Sequence, residues 1–129
     1  MRSIMQVATF LGLVAGQVVA QNAVGVQKEY NGETMLNLCK GTVPDVPPDV
    51  QSMTCTFRLQ GVSDLMNYNC VSQREGFDPA PRLSAAISGS RGAVRQTFIN
   101  YMEDHPEIWG VHWSWAVAVV MSESFACEN

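Results

Sequence analysis

Apolar positions recur along this chain at the spacing of helices. In Gly32-Glu-Thr-Met-Leu-Asn-Leu-Cys39, residues Met35, Leu38 and Cys39 stand at i, i+3 and i+4, so they share one helical face. Gly41 is placed to end this first helix. Cys55, Leu59, Val62 and Met66 fall at i, i+4, i+7 and i+11, and Ser52 is placed to cap a helix running to about Asn69. Gly61 interrupts that helix. An interior glycine costs about 1 kcal/mol against alanine, and close packing against another helix would explain it. Val94, Phe98, Tyr101 and Met102 mark a third helix from near Ser90 to Asp104. His105 precedes proline, which disfavours further α conformation there. Pro106 and Glu107 suit the opening of a last helical stretch, which runs from Trp109 to Ala126.

That last segment is apolar on nearly every side. Trp113, Ala116, Val117, Val120 and Met121 mark it as the central helix of a bundle. A buried strand is the competing reading of Val117–Val120, because β-branched residues cluster there. No strong hairpin signal exists anywhere, so the expected fold is all-α, a small bundle of about four to five helices. Between the helices, Val43–Asp49 carries three prolines, which exclude helix and central strand and predict a stiff connector. Residues 70–82 lack periodicity and contain Gly76, Pro79 and Pro81, so they read as a loop. Residues 83–89 hold a helical turn or two at most, and 21–31 form a mixed polar start.

The first twenty residues change the picture of the composition. Arg2 precedes an apolar run from Ile4 to Ala15, and Val18 and Ala20 fit the −3 and −1 positions of an export-signal cleavage site. A membrane-anchoring helix is the rival, but Gly12, Gly16 and Gln17 interrupt a run already short for a span. Cleavage after Ala20 leaves 21–129 as a single domain. Loss of Arg2 takes the basic groups from 8 to 7 against 12 acidic ones, a net charge of −5. That balance argues against nucleic acid as a partner, and without the leader nothing predicts a membrane partner. Cys39, Cys55, Cys70 and Cys127 all lie beyond the cut, and an even count behind an export signal reads as two disulfides. A metal site competes weakly, since there is no C-x-x-C and neither His has ligand spacing to a cysteine. Cys39 ends the first helix and Cys55 opens the second. The last helix returns toward the loop holding Cys70. The layout therefore predicts Cys39–Cys55 and Cys70–Cys127, each contributing roughly 3–4 kcal/mol.

Candidate chemistry is sparse. Gly89-Ser-Arg-Gly92 lacks the G-x-S-x-G of a nucleophile elbow and has no strand before it. Glu103-Asp104-His105 places two carboxylates beside a histidine, but adjacent helical residues point different ways. His112 is isolated. Asp45 and Asp49 lack the ligand set of a calcium loop. No phosphate loop, dinucleotide fingerprint or zinc-protease motif is present, so no cofactor and no catalytic or metal residues are expected. The expectation is a binding protein. Phe77 in the long loop and Trp109 between helices are candidate anchors, because aromatics dominate interface energetics.

Four motifs in order resemble the Rap/Tai family of type VI secretion immunity proteins. Gly32-Glu-Thr-Met-Leu-Asn-Leu-Cys39 is similar to the family's G-x-x-L-L-x-x-C, with Met35 for one Leu and Leu36 for the other. Cys55, Gly61 and Asp64 match C-x-x-x-x-x-G-x-x-D, and Tyr101-Met-Glu-Asp-His105-Pro106-Glu107 matches Y-[LM]-x-x-H-P-E throughout. Phe125-Ala-Cys127 closes the chain where the family usually has Pro before the Cys. The stretch from Cys70 to Tyr101 is longer than the family norm, and the usual Cys-x-Pro is absent. The resemblance implies a helical, disulfide-braced protein, often a homodimer. Such a protein sits in the periplasm and neutralises a peptidoglycan amidase effector by covering its active site. Arg74, Glu75 and Phe77 in the lengthened 71–82 region, with Trp109, become the expected partner contacts. An acidic surface would speed capture of a basic partner. A periplasmic chaperone-like binding protein is the alternative, since seven Met suit adaptable surfaces.

Overall fold

A computed structural model describes residues 30–76 and 83–128. The expected export signal at 1–20 and the side chain of Phe77 lie outside these residues. The described chain forms α1 (Gly32–Lys40), α2 (Pro48–Arg74), α3 (Arg91–Asp104) and α4 (Trp113–Ser124), with a 3-10 turn, Pro106–Ile108, between α3 and α4. The fold is a small all-α bundle braced by two disulfides, as the periodicity predicts.

Each helix forms for a local reason. Asn31 caps α1, its side chain accepting from the Thr34 amide at 2.8 Å. Gly41 ends it in the left-handed region at φ 73°, its N–H reaching the carbonyls of Asn37 and Leu38. Ser90 caps α3 by accepting from the Ala93 amide at 3.2 Å. His112 does the same for α4 through its ring, toward the Ser114 amide. The buried faces are the expected ones. Met35 and Cys39 of α1, Phe98 and Met102 of α3, and Ala116, Val117, Val120 and Met121 of α4 are fully enclosed. Val117–Val120 is helix, so the strand alternative falls.

Four expectations need correction. α2 opens at Pro48, four residues before Ser52. Proline at the first helical position loses no hydrogen bond and brings the right φ, so the proline run ends by starting a helix. α2 also continues through Cys70 to Arg74, which makes the first five residues of the expected loop helical. Pro106 and Glu107 open a 3-10 turn, and α4 begins only at Trp113. Gly61 is exposed, and a Cβ there would meet nothing within 4 Å. It therefore marks no close packing within the monomer.

The disulfides are Cys39–Cys55 and Cys70–Cys127, with sequence separations of 16 and 57. Both match the layout argument, although Cys70 sits on α2 and not in a loop. The longer bridge anchors a backbone seam. Segment 83–87 lies between α2 and the chain end, with Ala85 N–H donating to Met66 O at 3.2 Å and Ala86 N–H to Phe125 O at 2.8 Å. Asn69 donates to Leu83 O, and the Asn67 side-chain oxygen accepts from the Ile87 amide at 2.8 Å. From Ser84 to Gly89 the chain is irregular, where the sequence predicts a helical turn or two at most, and these bonds pair several of its backbone groups.

Candidate functional site

The residues of the resemblance divide into two places. Gly32 meets Met102 of the Tyr101–Glu107 segment, seventy positions on, and the turn just after that segment. Gly32 N–H donates to Val111 O at 2.9 Å and Glu33 N–H to Trp109 O at 3.0 Å. The start of α1 thus gives its free amide groups to the turn before α4. A Cβ at position 32 would lie 2.8 Å from Ile108 O and 3.0 Å from Met102 Cε, so only glycine fits. Leu36, one turn on, is buried in the same core. Tyr101 stacks on His105 with centroids 3.9 Å apart, and His105 Nδ1 lies 2.8 Å from Tyr101 O. Pro106 and Glu107 begin the turn that follows. Gly61 and Asp64 instead stand exposed on α2.

The expected contact residues are similarly divided. Trp109 is half-buried, and its indole N–H donates to Met102 O at 2.6 Å. It holds the turn against α3, which is the packing role aromatics most often play. Arg74 is exposed and donates from Nε to Glu128 O at 3.1 Å. Glu75 follows it, exposed, as the residue that ends α2. Arg74 and Glu75 therefore sit together at one end of the molecule, beside the Cys70–Cys127 bridge, while Trp109 belongs to the α1–α3 junction.

Among the described residues, Ser90, His105 and His112 each serve a helix end. Ser90 is a helix cap. His105 is bound to its own helix end, and His112 pairs with Ser114 Oγ at 2.8 Å. The Tyr101 hydroxyl is held above its ordinary value of 10.0, chiefly by burial and then by the charges of Glu123 and Glu107. That shift moves it further from acid–base work near neutrality. Among the described residues no group of three or more His, Cys, Asp or Glu is placed to hold a metal ion. No described helix is long and apolar enough to cross a membrane.

Three arrangements escape a reading of periodicity. Arg95 of α3 donates from Nε and Nη2 to Cys39 O at the end of α1, and from Nη1 to Ser52 Oγ at 2.7 Å on α2. One guanidinium fork ties three helices together. Gln51, 1% exposed, closes the proline connector. It accepts from Val43 N–H at 2.9 Å and donates to Val43 O at 3.0 Å and Val46 O at 2.7 Å. Arg58 lies 5.1 Å from the Trp113 ring centroid and 5.6 Å from that of Tyr30, a cation–π clamp worth about 0.5–1 kcal/mol where exposed.

A surface joins these three arrangements as a fourth. α2 carries a second apolar stripe opposite its core face, made of Val50, Met53, Phe57, Leu65, Tyr68 and Val71. All are exposed, Phe57 at 62% and Tyr68 at 70%. At 3.6 residues per turn they fall within one side of the helix, spread over about 32 Å. Single exposed apolar residues need no explanation, but six on one side of a helix make a candidate interaction surface. The signal was in the sequence, at the spacings 50, 53, 57 and 65, 68, 71. The core stripe on the same helix concealed it, because an inward face and an outward face together remove the polar side that reveals amphipathicity.

Beside that stripe lies a cleft of about 180 Å³, lined by Leu59, Ser63 and Asp64 of α2 and by Ile87, Arg91 and Val94 across from them. The Ser63 hydroxyl is buried there without a hydrogen-bond partner, a state that costs on the order of 1–3 kcal/mol.

No protein-family model, no curated protein and no solved structure matches this chain.

Proposed function

We propose that this chain is an exported immunity protein of the Rap/Tai type, which binds a peptidoglycan amidase effector in the periplasm and blocks its active site. The observation that carries the reading is the packing of Gly32 against Met102 of the Tyr101–Glu107 motif and against the Ile108–Val111 turn that follows it. Motif residues distant in sequence form one packed junction, which is what a fold-defining signature does. Two disulfides agree with an oxidising compartment. Inhibition here is stoichiometric binding, which asks for a rigid scaffold and a docking face and for no catalytic group.

The partner contacts divide between two faces. Arg74 and Glu75, at the end that leads into 77–82, meet the effector. The outer stripe of α2 meets a second copy. Its apolar residues stand 11, 8 and 4 positions before Gly61 and 4, 7 and 10 positions after it. Laid antiparallel against itself about Gly61, the stripe therefore sets apolar residue against apolar residue. Such self-complementarity is the condition for a two-fold interface. The bare Gly61 backbone lets the two helices approach at the axis.

The same stripe favours one other reading, a chaperone-like protein that holds unfolded clients on exposed Met53, Phe57 and Leu65. The test is rescue. A cell exporting the effector survives when the full chain, with its leader, is co-expressed, and dies when the leaderless version is supplied. A purified chain that suppresses aggregation of unrelated unfolded proteins, without rescue, selects the chaperone reading instead.

A further inference from the structure

We propose that the cleft between α2 and the Ile87–Val94 segment is a binding site for a small zwitterion of the α-amino-acid class with an apolar side chain. The size fits. The cleft measures about 180 Å³, and a dry cavity of about 150 Å³ already admits benzene. Leu59, Ile87 and Val94 give it an apolar part, beside the polar Thr56, Gln60 and Asn67.

Its charges are the selective feature. Asp64 stands on the α2 wall and Arg91 on the α3 wall. Neither forms an ion pair with a described residue, the described ion pair being Lys40 with Glu103. Arg91 is also the first residue of the fourteen-residue α3, so the positive end of that helix dipole adds to its guanidinium. A carboxylate belongs on this wall and an ammonium group on the other. A simple anion would face Asp64 unpaired, and a simple cation would face Arg91. Only a ligand carrying both charges satisfies both walls.

Ser63 supplies the second, independent observation. Its side chain lines the cleft, 94% of the residue is buried, and its hydroxyl has no partner. A helical serine commonly bonds the carbonyl one turn back, as Thr54 and Thr56 do on this same helix. Ser63 does not, and its hydroxyl is left to serve a ligand that brings both donors and acceptors. The site owes nothing to the effector reading and stands or falls separately from it.

The test is calorimetric titration of the disulfide-intact full chain with L-leucine as the probe. Isoamylamine, which lacks the carboxylate, and isocaproate, which lacks the amine, serve as the comparison arms. Saturable binding of leucine is expected, with both analogues weaker by about tenfold or more. Asp64→Asn and Arg91→Gln each lose about tenfold in affinity. Ser63→Ala also weakens leucine, while its thermal midpoint holds or rises, because removing an unsatisfied hydroxyl relieves the fold. No saturation at millimolar leucine, equal binding of a singly charged analogue, or unchanged leucine affinity in Ser63→Ala overturns the proposal.

Discussion

The carbonyl oxygen of Ile108 lies 2.8 Å from where a Cβ on Gly32 would stand. Gly61 is the opposite case, with open space around it. Gly32→Ala forces backbone against side chain and destabilises the fold by about 1–3 kcal/mol, the range for overpacking. Gly61→Ala, in an exposed helix interior, stabilises the monomer by up to about 1 kcal/mol. Urea unfolding of the two variants checks the pair. Equal effects would mean that the turn before α4 yields, and that Gly32 does not define the junction.

Gln51 makes the connector between α1 and α2 possible. Its three hydrogen bonds go to the backbone of Val43 and Val46. Gln51→Leu keeps the volume and abandons those groups, so it costs about 1–3 kcal/mol for each backbone group that water cannot reach. A change below about 0.5 kcal/mol in chemical denaturation would show that the connector finds water instead.

Pro48, Gln51 and Arg95 mark the boundary of what the pattern of the chain reveals. The buried faces of α1 and α3 and the helix ends at Gly41 and Ser90 follow from spacing, and the two disulfide pairings from the layout of the helices. Pro48 did not, because proline both breaks helices and starts them, and only the tertiary position of α2 decides between the two. Gln51 and Arg95 were invisible for another reason. Their partners are backbone carbonyls and amides, which every sequence has everywhere, so no residue pattern announces the contact. The outer stripe of α2 was present in the spacing but lay under a second pattern on the same helix. Of the expected contact residues, Trp109 turned out to brace a turn, while Arg74 and Glu75 keep the exposure a partner needs.

Phe57 lies four positions before Gly61 and is among the most exposed apolar side chains of α2. In a dimer formed by antiparallel α2 helices it is covered. Phe57→Glu places a charge on that axis and converts a dimer to a monomer, with the helical circular dichroism unchanged. Sedimentation analysis of the wild type and the variant at micromolar concentration reads this directly. A monomeric wild type removes the second copy from the stripe.

The Tyr101 hydroxyl has its folded pKa raised above 10.0, by burial first and then by Glu123 and Glu107. The folded state therefore holds this proton more tightly than the unfolded chain does. Its contribution to stability is complete below pH 10.0 and is lost as pH rises through the raised value. Tyr101→Phe shows a shallower loss of stability above pH 10.0 than the wild type does. Identical alkaline unfolding profiles for the two proteins would remove Tyr101 from the account.

An immunity protein of the proposed kind protects a cell by occupying an amidase in the periplasm. The direct measurement is survival of a strain exporting a peptidoglycan amidase effector to its periplasm, with and without co-expression of the full chain. Survival with the full chain, and its loss when residues 1–20 are deleted, is the predicted result. Equal killing in the presence and absence of the full chain, with the protein confirmed to be exported and oxidised, contradicts it.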